Sequence, residues 1–149
     1  MRAAKTVGLL LALPLSIGLS TAKAAERKEL AAFDVARTLS GEAIAAVALH
    51  VTGFSVAEPP EVPNRLQEFV ITGHVTECFK GPLHVGDKVV YYAVTEGRHA
   101  AFGKDHIIFL RRGSERKDRW VPVEAMPFSP SVEMKAALHK LFGRACRPH

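Results

Sequence analysis

The stretch FVITGHVTECF, Phe69 to Phe79, decides how this chain folds. Phe69, Ile71, Gly73, Val75 and Phe79 alternate with Val70, Thr72, His74, Thr76 and Cys78. A period of two belongs to a strand with one buried face, so the odd positions are expected to face a core and Cys78 to point away from it. Gly73 in mid-strand marks a bulge or a sharp bend. Lys80-Gly81-Pro82 ends the strand.

Downstream, Val85-Gly86-Asp87 is a turn leading into KVVYYAV, from Lys88. Glu96 to Lys104 is a polar, glycine-containing loop, and HIIFLRR, from His106, is a short and mostly apolar strand that suits a central position. RWVPVEA, from Arg119, reads as a last strand, at an edge because Pro122 has no N–H to donate. Upstream, the apolar run from Ala43 has no clear period but ends in β-branched and aromatic residues, so Ala45 to Ala57 is read as a long first strand. Pro59, Pro60 and Pro63 then form a stiff loop.

A helix is expected at each end. Residues 26–40 place Leu30, Phe33, Ala36 and Arg37 at helical spacing before Ser40-Gly41 stops the run. Ser129 or Ser131 caps a final helix with Glu133 in its first turn, a stripe of Val132, Ala136, Leu138, Leu141 and Phe142, and Gly143 as C-cap. No repeat or linker divides the chain. The pattern predicts a mainly β, α+β fold: a five-stranded OB-like antiparallel barrel, small and partly open, with a short N-terminal and a C-terminal helix.

The first residues have the parts of a secretory signal. Arg2 and Lys5 precede an apolar run from Thr6 to Ser20, and Ala22-Lys23-Ala24 has the small-x-small form of a cleavage site. The run is shorter than the roughly 20 apolar residues of a spanning helix and contains Pro14, which disfavours a permanent anchor. Residues 1–24 are therefore expected to be removed and 25–149 to form one domain, periplasmic or secreted, without stable insertion in a membrane. The whole chain carries 20 Lys+Arg against 15 Asp+Glu, a net +5. Arg2, Lys5 and Lys23 belong to the signal, which holds no acid, so the rest carries 17 against 15, a net +2. Export and so small a charge speak against a nucleic-acid partner.

Cys78 and Cys146 are the only cysteines. An oxidising compartment favours their pairing, with two free thiols as the alternative. A bridge would close a loop of 68 residues and contribute roughly 4 kcal/mol by chain entropy. It would also tie the C-terminal tail to the barrel wall.

Three phrases occur in order: HVTECFKG, a strand ending in a lysine-glycine turn; VGDKVVYYAV, a glycine-aspartate turn into the next strand; and GKDHIIFLRR, a glycine-led central strand. This order is similar to bacterial secreted proteins related to the netrin and tissue-inhibitor-of-metalloproteinase module, over roughly residues 28–125. The resemblance implies an OB-like barrel with a binding or inhibitory role and no catalysis. The animal inhibitors of that family chelate the zinc of a protease through an N-terminal cysteine. Here no cysteine lies near Ala25 or Glu26, so the resemblance does not extend to that mechanism, and it transfers no functional residue.

Among His50, His74, His84, His99, His106, His139 and His149 there is no HExxH, and the two cysteines form no CxxC, so no metal site or cofactor is expected. The serines lie in turns and caps without a GxSxG, and His74 is four strand residues, about 13 Å, from Cys78, too far for a nucleophile and its base. No catalytic residue is assigned. The densest charge is the arginine-rich turn Arg111, Arg112, Arg116, Lys117 and Arg119, interrupted by Glu115 and Asp118. It is either a solvated turn or, with Trp120 and nearby Phe128, Tyr91 or Tyr92, a surface facing an anion or a partner.

The expected function is thus a non-catalytic binding module whose partner is another envelope or extracellular protein. An inhibitor or immunity-type protein acting on an envelope enzyme is one alternative. A metal-dependent hydrolase using His74, His99 and His106 is the other.

Overall fold

The computed structural model describes residues 16–57, 66–96, 104–124, 127–143 and 146. The chain forms α1 (Ser16–Glu42), β1 (Ala45–Val56), β2 (Leu66–Lys80), β3 (Lys88–Glu96), β4 (Asp105–Arg112), β5 (Trp120–Pro122) and α2 (Val132–Phe142). The loop of Pro59, Pro60 and Pro63, most of the loop from Glu96 to Lys104, and the first 15 residues of the expected signal lie outside the described residues. Among the described residues no helix is long and apolar enough to cross a membrane.

The strands close into a barrel in the order β1-β2-β3-β5-β4, with β1 paired to both β2 and β4. The expected five-stranded barrel with a helix at each end is the fold. It is closed rather than partly open, and one contact is parallel: Tyr91 of β3 beside Trp120 of β5. An odd number of strands running alternately up and down cannot close without one such contact. Pro122 accordingly marks no edge, because β5 lies between β3 and β4 and Pro122 itself pairs with Leu110.

Two cores share one wall. Val47, Leu49, Ile71, Val75, Tyr91, Ile108 and Leu110 fill the barrel. Leu39, Ala46, Ala48, Phe79, Ile107, Phe109 and Leu138 form a second layer between the wall and the helices. This explains the missing period in β1 and β4. Both faces of Ala45–Leu49 and Ile107–Leu110 are buried, so neither face of these strands needs polar residues.

β2 follows its predicted alternation from Phe69 to Val75 and then leaves it. Ala48 pairs with Glu77 but Leu49 with Val75, which leaves Thr76 as an extra residue, and a second shift leaves Phe79 as another. Each extra residue reverses the phase of the side chains. Phe79 therefore faces the helices, and Cys78, expected to point away from the barrel core, packs against the interior cluster. Gly73 lies opposite a third shift, where Thr52 is the extra residue of β1. A Cβ on Gly73 would stand 2.7 Å from the His50 carbonyl oxygen, so only glycine allows this approach.

α1 is longer than the predicted 26–40 and runs through the Ala22–Ala24 segment. Its C-terminus is held by Lys80, whose Nζ donates to the carbonyls of Ser40 and Ala43, each at 2.7 Å. A cation there satisfies helix-end carbonyls and complements the negative end of the helix dipole. α2 has the predicted caps: Ser131 accepts a hydrogen bond from the Met134 N–H at 3.1 Å, and Gly143 follows the last turn at φ 60°. The Cys78–Cys146 disulfide is present, with Cα atoms 5.7 Å apart, and fastens the tail beyond α2 to the end of β2.

Candidate functional site

The β4–β5 turn is built by its backbone. The Gly113 N–H donates to the Arg119 carbonyl and the Arg119 N–H to the Arg116 carbonyl, both at 3.0 Å. A Cβ on Gly113 would lie 2.7 Å from the Arg116 carbonyl oxygen, so this tight loop requires glycine. Its arginines then divide by strand alternation. Arg111 lies on the outer face of the wall, whereas Arg112 stacks on Trp120, its guanidinium carbon 3.7 Å from the ring centroid. Trp120 packs in turn against the barrel interior.

Arg119 is the most constrained of the group. Its Nη1 donates to Glu68 Oε1 of β2 at 3.1 Å, and its guanidinium lies 4.0 Å from the centre of the Tyr92 ring of β3. Arg116 is 3.9 Å from Asp118, at the outer limit of an ion pair. Together Glu68, Tyr92, Val94, Arg111, Arg116 and Arg119 line a groove of about 470 Å³ on the outer face of β2 and β3, walled by the β4–β5 turn. In OB-type barrels the face of strands 2 and 3, with the loops between strands 1 and 2 and between strands 4 and 5, is where oligonucleotides and oligosaccharides bind. Planar donors held in place lose little freedom when they meet a carboxylate, which favours recognition of acidic groups.

Of the residues expected to bind, Arg111, Arg116 and Arg119 therefore share one concavity, while Arg112 and Trp120 form a separate stacked pair. Tyr92 joins the groove. Tyr91 does not, since it is fully buried in the barrel, and Phe128 packs on the helix side, bridged to Ile107. Glu68 and Val94 are members that the sequence did not single out. Glu68 is 51 residues from Arg119 and carries no local signal of its role.

The histidines proposed for a hydrolase do not converge. His106 is buried inside the barrel, where its Nε2 lies 3.0 Å from the Tyr91 hydroxyl, and burial raises the Tyr91 pKa well above its ordinary value. His74 is on the outside of the wall, and His99 lies outside the described residues. Among the described residues no three His, Cys, Asp or Glu side chains gather closely enough to hold a metal ion. A second, mainly apolar groove of about 530 Å³ runs between α1 and residues 127–128, lined by Val35, Leu39, Pro127 and Phe128.

The chain matches no protein-family model, no curated protein and no solved structure.

Proposed function

We propose that this chain is an exported, non-catalytic binding module that docks another envelope or extracellular protein through the groove over β2 and β3. The observation that carries this reading is the placement of Arg119 between Glu68 and Tyr92, in a groove that Arg111 and Arg116 also line. The signal-like N-terminus and the small net charge of the remaining chain support it. So does the likeness of the sequence phrases to netrin-type and metalloproteinase-inhibitor modules. If the partner is an enzyme, the same groove would make the protein an inhibitor or immunity factor.

The test is site-specific photo-crosslinking in the envelope of the producing cell, with the photoreactive residue at Val94. Val132, which is exposed at the start of α2, serves as the control position. One discrete adduct is expected from position 94, lost in an Arg111→Glu/Arg116→Glu background. Identical adducts from positions 94 and 132, or an adduct indifferent to the charge reversal, would overturn the proposal.

A further inference from the structure

The barrel carries a row of polar side chains away from the arginine groove. His50 of β1 is the register partner of both Asp105 of β4 and His74 of β2, and His74 is the partner of Lys88 of β3. Register partners project from the same face, and each of these residues flanks inward-facing neighbours, so the row lies on the barrel's exterior. His50 and His74 thus have Cβ atoms about 4.5–5.5 Å apart, close enough for two imidazoles to meet one ion.

Each ring has an acceptor at its Nδ1. His50 Nδ1 is 2.7 Å from the Asp105 carboxylate, and His74 Nδ1 is 3.3 Å from the Gly86 carbonyl oxygen. Both neighbours are pure acceptors, so each Nδ1 must carry the proton. In the neutral rings each Nε2 then presents its lone pair. Neither Nε2 has a hydrogen-bond partner among the described residues. A carboxylate or a carbonyl on the second nitrogen is the arrangement that fixes the tautomer of a metal-bound histidine and raises its basicity.

The geometry points to a surface site in which His50 and His74 hold a divalent transition-metal ion through their Nε2 atoms, with Asp105 and the Gly86 carbonyl as the supporting acceptors. Because no third protein ligand gathers there among the described residues, water completes the coordination. The charges of Asp105 and Lys88 at the two ends of the row oppose each other. Selection therefore comes from the imidazoles and favours Cu2+, Ni2+ or Zn2+ over Ca2+ or Mg2+. The site is independent of the proposed protein-binding groove.

The test uses the full chain without an affinity tag, stripped of metal and titrated with Cu2+ by calorimetry and by electron paramagnetic resonance. One tight equivalent with splitting from two nitrogens is expected. His50→Ala and His74→Ala should each weaken binding at least tenfold, and Asp105→Asn by about 10–100-fold. In the unaltered protein, substoichiometric Cu2+ should broaden the amide resonances of residues 49–51 and 73–75 before others. This last measurement does not depend on any variant folding. Broadening elsewhere first, unchanged affinity in the double alanine variant, or no binding at millimolar Cu2+ would overturn the assignment. Binding of Ca2+ as strong as that of Cu2+ would do the same.

Discussion

Glu77 Oε2 and Lys135 Nζ lie 2.8 Å apart, joining β2 to α2 beside the disulfide, and Glu77 Oε1 lies 2.7 Å from Nε2 of His139 one turn further along. A single carboxylate thus grips one face of the helix at two points.

Partial burial pushes the Glu77 pKa upward, but the hydrogen bonds and charges of Lys135 and His139 outweigh it and hold the carboxyl below 4.5. A carboxyl whose pKa is lower folded than unfolded stabilises the fold above the unfolded-state value and loses that contribution as pH falls through the folded one. Urea unfolding from neutrality down to about pH 3 should therefore show a loss of stability below pH 4.5 that is smaller in Glu77→Gln. At neutral pH the variant should be less stable by about 1 kcal/mol. An identical acid profile in both proteins would contradict this.

Removing the Cys78–Cys146 bridge should cost about 2–4 kcal/mol, measured as the shift in urea midpoint between the oxidised protein and Cys78→Ser/Cys146→Ser. Alkylation of the denatured, unreduced protein should modify neither cysteine. Labelling of both would show that the bridge does not form.

Lys80→Met retains the apolar stem and deletes the two hydrogen bonds to the end of α1, so thermal unfolding should show a loss of about 1–2 kcal/mol. Gly81→Ala should be worse. Gly81 has φ 100°, and a Cβ there would collide with the Ile44 carbonyl. Equal stability of Lys80→Met and the parent would mean that water serves the helix end as well as Lys80 does.

Tyr91→Phe removes the hydrogen bond to His106 inside the barrel and should cost about 1–3 kcal/mol in chemical denaturation. Because burial raises the pKa of the folded Tyr91, the hydroxyl stabilises the fold fully below its ordinary value of 10.0 and loses that contribution at higher pH. Absorbance titration of the folded protein through pH 10 should consequently give the same phenolate signal in the parent and in Tyr91→Phe. A smaller signal in the variant would place Tyr91 in contact with solvent.

The sequence made some of this visible and concealed the rest for physical reasons. Strand β2 showed itself through Phe69, Ile71 and Val75 because only one of its faces is buried there. The alternation failed at Thr76 and Phe79, where bulges reverse the phase and no residue type announces them. The pairing of Cys78 with Cys146 followed from composition and expected compartment, whereas the direction of Cys78 depended on the unseen bulges. In the site, the arginines stood out as a local charge cluster. Glu68 and Tyr92, which fix Arg119, come from other strands and meet it only through barrel closure.

The pairing of β1 with β4 sets a timetable for folding. The first strand cannot complete its hydrogen bonds until the chain through Arg112 is available, and the layer over its outer face waits for α2. Until then the run Ala45–Leu49 lacks Ile108 and Leu110 on its inner face and Ile107, Phe109 and Leu138 on its outer one. Contacts this distant in sequence make folding slow. Substitutions that weaken the β1–β4 pairing are therefore expected to act on the whole barrel, because closure joins its first strand to its fourth.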